Sequence, residues 1–390
     1  MAEATPQLEG ISVLNLASVG PAARAARTLA DYGARIIQIS PTPKKGTKQI
    51  QPPFHSYAAG RGFERIQIDL KSEAGRGAFL RLASAADVVI ESYRPGVVGR
   101  LGIDFEDLRG VNDEIIYCST SGYGQDGPAA SWAGHDINYQ AMSGLLACTE
   151  PRKDGGPPVP GATVADSAGG GMQAVVAILA ALVRRSRGGG AQYLDVSATE
   201  GMLSLMALAI DQYLATGEVA GPRQVLLTGR YAFYDLYRCR DGKWISVGAI
   251  EPHFYKALCD ALGLSEYVSD QMNDHKQDEI RAAFQRVFLE KSRDEWVADL
   301  AEKNTCVAPV YEIPELVEAP HFRQRRVFME AEHPEEGRFR QVGPILAGGI
   351  RDQPVYPVRS FDQSDAPEVL AWAGYEEAEI EALCRAGAVG

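Results

Sequence analysis

The first 120 residues alternate short apolar runs with helix-length segments, and this alternation constrains the fold more than any other feature of the chain. Ile11 to Leu16 (ISVLNL) reads as a strand. Ala22 to Tyr32 follows with helical composition and stops at Gly33, a residue suited to a helix C-cap. Ala34 to Ile39, Ile66 to Leu70, Asp87 to Glu91 and Glu114 to Ser119 read as further strands, with helices near Ser72 to Ala85 and Phe105 to Val111. Strands separated by helices make βαβ units and a mostly parallel sheet. The strands are apolar almost throughout rather than alternating, which fits a sheet covered on both faces. The expectation is an α/β chain built on a mostly parallel sheet.

Later segments extend this pattern and then change it. A long helix is expected from Asp166 to Arg185, a strand at Tyr193 to Ser197 and a helix at Glu200 to Leu214. From Tyr231 the pattern becomes that of a hairpin: Phe233 to Cys239, the Asp241-Gly242 turn, then Lys243 to Gly248. Helices at Pro252 to Leu262 and Asp278 to Glu290 follow it. The expected organisation is a large domain over 1–200, a linker over 201–225 and a smaller α+β domain over 226–325. The remaining segment, 326–390, carries one more apolar helix and returns to the large domain.

Composition narrows the function classes. Lys and Arg total 39 against 51 Asp and Glu, a formal charge of −12 that argues against a nucleic-acid partner. The six cysteines are scattered without CxxC spacing or a neighbouring His at ligand spacing, so reduced thiols and no metal site are expected. The opening MAEATPQLEG lacks a basic stretch followed by an apolar run. Met172 to Val183 is interrupted by Gln173 and, as a run, is shorter than a bilayer span. A cytoplasmic protein without membrane attachment is the expectation.

Several residues invite a chemical reading beside a structural one. Gly122, Gly124 and Gly127 make G-x-G-x-x-G after the fifth strand, but Pro128 follows and no helix opens there. A turn-forming loop is the better reading than a dinucleotide fingerprint, at the strand edge where open α/β sheets bind ligands. His135, in GHDINY (134–139), has a side chain whose ordinary pKa suits proton transfer; its neighbour Asp136 either orients it or caps the next helix. Asp166, in VADSAGGG (164–171), reads equally as an N-cap or as a base or nucleophile. Its three following glycines each cost about 0.5–1 kcal/mol in a helix relative to alanine. They let a ligand or another backbone approach, and a helix start there suits a developing oxyanion. Glu251, before Pro252, reads as a helix-start residue, and Arg94 in ESYRPG stands where a phosphate clamp would be useful.

Taken together, SVGPAARAARTLADYGARIIQIS, IDLKSEAGR, DVVIESYRPGVVGRLGI, IIYCSTSGYGQDGP and CVAPVYEIPE (306–315) resemble the class III CoA-transferase superfamily along nearly the whole chain. GHDINY, VADSAGGG and VGAIEPHFY (247–255) are similar, within it, to the alpha-methylacyl-CoA racemases. The resemblance implies a Rossmann-like large domain with a smaller domain, an acyl-CoA thioester substrate, an interlocked homodimer and no cofactor beyond the coenzyme A carried by the substrate. It implies His135 and Asp166 as an acid/base pair at the substrate α-carbon, with Glu251 supporting His135. Arg61, Lys71, Arg94, Arg100, Gly122, Tyr123 and Gly124 are the implied coenzyme contacts. The implied reaction is racemisation of 2-methyl-branched acyl-CoA by 1,1-proton transfer. The alternative, shared by the transferases, makes Asp166 a nucleophile that forms an acyl-aspartyl anhydride. Two segments depart from the family pattern. ISPTPKKG (39–46) lacks the usual Arg, leaving Lys44 or Lys45 as substitutes, and AAGRGFER (58–65) keeps Arg61 but has Glu64 in place of a basic residue.

Overall fold

The computed structural model describes residues 6–42, 53–56, 60–349, 355–360 and 363–390; Lys44 and Lys45 lie outside them. Strands β1 (Ser12–Asn15), β2 (Arg35–Ser40), β3 (Glu64–Gln67), β4 (Val88–Glu91), β5 (Ile116–Ser121) and β6 (Gln192–Ser197) form one sheet in the order β3-β2-β1-β4-β5-β6. Every neighbouring pair is parallel. This is a doubly wound order, and it reverses between β1 and β4, the place where such sheets bind ligands at their carboxyl ends.

Alternation along the strands divides the core into two faces. Leu14, Ile37, Ile39, Val89 and Tyr117 point one way, onto Phe79 and Leu82 of α2 (Glu73–Ala85). Val13, Ile36, Val88, Ile90 and Ile116 point the other way, onto α1 (Gly20–Asp31). Ala22, Ala25, Ala26 and Leu29 form the buried stripe of α1. Three further helices of this unit bear on the site: α3 (Asp136–Met142), α4 (Gln173–Arg185) and α5 (Ala198–Leu205). Residues Ala165–Met172 wind as a π-helix that runs directly into α4. The joined helix, Ala165–Arg185, is 21 residues long and apolar enough to cross a membrane by length and composition. It is longer than the Met172–Val183 run because the glycine segment continues it. Its Ala174, Val175, Ile178 and Ala181 pack in the core beside α1.

The chain divides into two compact units. The second comprises Gly144–Val159 and Ala207–Ala319. It contains α6 (Ala207–Thr216) and an antiparallel sheet, in the order β7-β8-β9, of β7 (Tyr234–Arg238), β8 (Trp244–Gly248) and β9 (Val307–Pro309). Helices α7 (Pro252–Leu262), α8 (Gln277–Phe288) and α9 (Arg293–Leu300) supply Leu258, Phe284 and Trp296 to its core. The stretch 201–225, expected as a linker, is largely the helices α5 and α6, with the division falling between Met206 and Ala207.

Pro320–Gly390 belongs to the first unit. A small sheet holds β10 (Phe328–His333), β11 (Gly337–Val342) and β12 (Val355–Pro357). Helices α10 (Ala366–Trp372) and α11 (Glu377–Arg385) follow, and Val369 and Leu370 of α10 join the core face lined by α2.

Candidate active site

His135 occupies the N-cap of α3 in an extended conformation. Its N–H donates to Asn138 Oδ1 at 2.9 Å, and the Asn138 N–H donates back to the His135 carbonyl at 2.8 Å. This reciprocal pair fixes the backbone and leaves the imidazole exposed. The next residue joins the two motifs. Asp136 Oδ1 accepts the Asp166 N–H at 2.9 Å, across thirty positions of sequence, while Gln140 Nε2 donates to Asp136 Oδ2. Asp136 thus brings the His135 turn and the start of the π-helix to one place.

Asp166 is not an N-cap: Val164, before the π-helix, is already in helical conformation. Burial holds the Asp166 carboxyl above its usual range. Arg24 opposes that effect, Asp136 adds to it, and His135 opposes it in turn. The bond from the Asp166 N–H to Asp136 is the contact that brings the Asp166 backbone beside the turn carrying His135.

The three glycines serve helix packing. At Gly169 an added Cβ would meet the Ala198 carbonyl at 2.6 Å and at Gly170 the Pro21 ring at 2.6 Å, while at Gly201 it would strike the Gly169 backbone. The π-helix is thus wedged between α1 and α5 at backbone contact, and Gly169, Gly170 and Gly171 are buried. Of the two approaches that the glycines allow, the structure uses the backbone one. The expected oxyanion site at this helix start is also occupied, because the Asp166 N–H goes to Asp136 and the Ser167 N–H to the Thr163 carbonyl at 3.0 Å.

The G-x-G-x-x-G segment is a turn loop fastened at several points. Gly122 accepts two bonds from Thr199, from its N–H at 3.0 Å and its hydroxyl at 2.7 Å. A Cβ at Gly122 would strike the ring of Tyr139. That ring donates through its hydroxyl to the Gly134 carbonyl at 2.6 Å and meets Tyr123 edge-on at 5.1 Å. The Gly124 N–H donates to Ser121 Oγ at 2.8 Å with Gly124 in the left-handed region, φ 89°. The Gln125 N–H reaches Asp195 at 3.0 Å and its side chain reaches Ser119 Oγ at 2.7 Å. Ser119 in turn donates to Glu91, at the carboxyl end of β4. Burial pushes the Glu91 carboxyl up to about 7, against the pull of bonds from Ser119 and the Tyr93 N–H. Sequence reading passed over Glu91, although an acidic residue ending an apolar strand is a visible signal.

The expected coenzyme residues separate into groups. Lys71 and Arg100 line one cavity of about 730 Å³, together with Arg76, which the sequence reading did not single out. Arg94 is exposed on the turn after β4, outside that lining. Arg61 is corrected: it is 1% exposed and built into the structure. Its guanidinium bonds Asp31 at 2.9 Å, Gln341 and the Val342 carbonyl at 2.6 Å each, and lies over the Tyr356 ring. A phosphate has no access to it. Glu251 is the exposed N-cap of α7 in the second unit. Among the described residues, no group of His, Cys, Asp and Glu is arranged to hold a metal ion.

A family model for CoA-transferase family III matches residues 8–355. The chain belongs to this family. Alpha-methylacyl-CoA racemase of Homo sapiens is 35% identical over 382 residues, covering 96% of each chain. The acetyl-CoA:oxalate CoA-transferase of Acetobacter aceti is 30% identical over 349 residues, 85% of this chain and 89% of that one. A CaiB/BaiF family protein from Brucella suis, known from its crystal structure, superposes with a TM-score of 0.70 at 26% identity, covering 92% of this chain and 93% of the other. Both racemases and transferases therefore stand among the relatives of this family III chain.

Proposed function

We infer that this chain is a racemase or epimerase of 2-methyl-branched acyl-CoA thioesters, with His135 and Asp166 as its acid/base pair. One observation carries the reading: Asp136 binds the Asp166 N–H, so the His135 turn and the start of the Asp166 helix meet. One of the pair takes the α-proton. The C–H electron pair moves into the thioester as an enolate, and the other residue returns a proton to the opposite face. One proton leaves and one arrives, which inverts the centre without oxidation or an acceptor acid. The cavity lined by Lys71, Arg76 and Arg100 suits coenzyme A phosphates, because these cations outnumber Glu73, the one carboxylate in its lining. Coenzyme A enters as part of the substrate. A second copy of the chain is the proposed partner. Met172, Val176 and Val183 leave an apolar face on the Ala165–Arg185 helix, with Val176 63% exposed.

The transferase relatives support a second reading. In it the Asp166 carboxylate attacks the thioester carbonyl, the C–S bond breaks, and an acyl-aspartyl anhydride forms as the thiolate leaves. Hydroxylamine separates the two. Under the transferase reading, acyl-CoA with hydroxylamine converts Asp166 to its hydroxamate, seen as a mass increase on the peptide that contains it. Under the racemase reading that peptide stays unmodified while the substrate α-proton exchanges with solvent.

A further inference from the structure

Arg24, on α1, points its guanidinium into the segment that carries Asp166. Nε donates to Ser167 Oγ at 2.9 Å and one Nη to Thr163 Oγ1 at 2.7 Å. The other Nη donates to the Gly20 carbonyl at 3.1 Å and stands 3.5 Å from Asp166 Oδ2. The guanidinium therefore grips the chain on both sides of Asp166, at 163 and at 167, while contacting its carboxylate. Arg24 and Asp166 side chains are 17% and 16% exposed, so water screens the pair weakly. The wedge of glycines explains how α1 comes so close: a Cβ at Gly171 would meet Arg24 Cβ at 3.0 Å.

We propose that Arg24 is a positioning residue for Asp166, pinned by Thr163, Ser167 and Gly20 so that its fixed cation keeps the carboxylate aimed and ionised. The proposal rests on the reading of Asp166 as a reacting carboxylate. The groups that face Asp166 give the reason a fixed cation is needed. Asp136, from α3, adds a second negative charge beside it, and the phenol of Tyr139 lies within reach of its field. His135 also faces it, and in the proposed reaction the His135 imidazole exchanges a proton with the substrate. An arginine keeps its charge throughout, so Arg24 offsets burial and Asp136 at every stage of a proton-transfer cycle.

The test reads the Asp166 carboxyl directly. The full chain, labelled with 13Cγ-aspartate, is titrated by NMR, with Asp166→Asn identifying the resonance. Arg24→Gln is expected to move the Asp166 midpoint up by about one pH unit or more, and Arg24→Lys to recover most of that shift. Thr163→Val and Ser167→Ala, which loosen the grip but keep the cation, are expected to move it less and in the same direction. They also serve if Arg24→Gln does not fold. An unmoved midpoint in Arg24→Gln, or in both strut variants, overturns the proposal. The acidic limb of α-proton exchange should move with the midpoint, and a uniform fall in rate at all pH values would instead mark a merely structural role. If the parent chain shows no exchange, the functional reading fails, while the titration still decides whether Arg24 controls Asp166.

Discussion

At the scale of single residues, the account assigns one chemistry to two side chains from distant motifs. His135→Ala and Asp166→Asn should each lower α-proton exchange by at least about 10²-fold, the range of general acid–base catalysis. Both should still bind coenzyme A, because neither lines the cationic cavity. Exchange followed by NMR, together with calorimetric binding of coenzyme A, checks both halves. Glu91 makes a separate prediction about stability. Its folded pKa of about 7 lies above the ordinary 4.5, so the folded chain holds that proton more tightly than the unfolded one. The contribution is fully present below about pH 4.5 and is lost as pH rises through 7. Glu91→Gln cannot ionise and should gain stability relative to the parent, by about 2–3 kcal/mol, between pH 5 and pH 8. Denaturant melts of both chains at the two pH values give that difference; a constant gap would show that Glu91 does not titrate there.

At the scale of elements, the wedge of the π-helix between α1 and α5 sets where Asp166 stands. Gly201→Ala places a methyl group against the Gly169 backbone, which cannot yield as a side chain would. It should destabilise the chain by about 1–3 kcal/mol and reduce exchange through displaced Asp166, while Gly77→Ala on α2, with open space around its Cβ and an ordinary helical backbone, spares both. Thermal melts and exchange rates on the two variants test this. Most of the sheet was legible here. Apolar runs announced β1, β2, β4 and β5 within two residues, because burial on both faces leaves a strong local signal. The π-helix was not, since helical periodicity does not distinguish i→i+4 from i→i+5 bonding. The choice between capping and chemistry at Asp136 and Asp166 stayed open for a related reason: a hydrogen bond spanning thirty residues has no trace in either motif alone.

At the scale of the whole molecule, long-range contacts decide what local pattern leaves open. Arg61 looked like a phosphate ligand because its loop matches a family segment, yet its partners Gln341 and Val342 come from the far end of the chain. Arg61→Met should cost about 3 kcal/mol by stranding buried partners, without weakening coenzyme A. Arg100→Gln should do the reverse, raising KM with little change in melting temperature. Melting curves and saturation kinetics on both variants decide between the two roles. The apolar face left open by Met172, Val176 and Val183 predicts a homodimer of twice 42.1 kDa, measurable by sedimentation equilibrium. The boundary at 206–207 and the assignment of Gly144–Val159 to the second unit were hidden from sequence for the same reason as Arg61: they are set by packing and not by composition. The central claim is proton transfer at the α-carbon, and incubation of a 2-methylacyl-CoA of defined configuration in D2O, without acceptor acid, tests it most directly. The account predicts deuterium at the α-position with loss of configuration; recovery of undeuterated substrate with its configuration intact, while coenzyme A still binds, would contradict it.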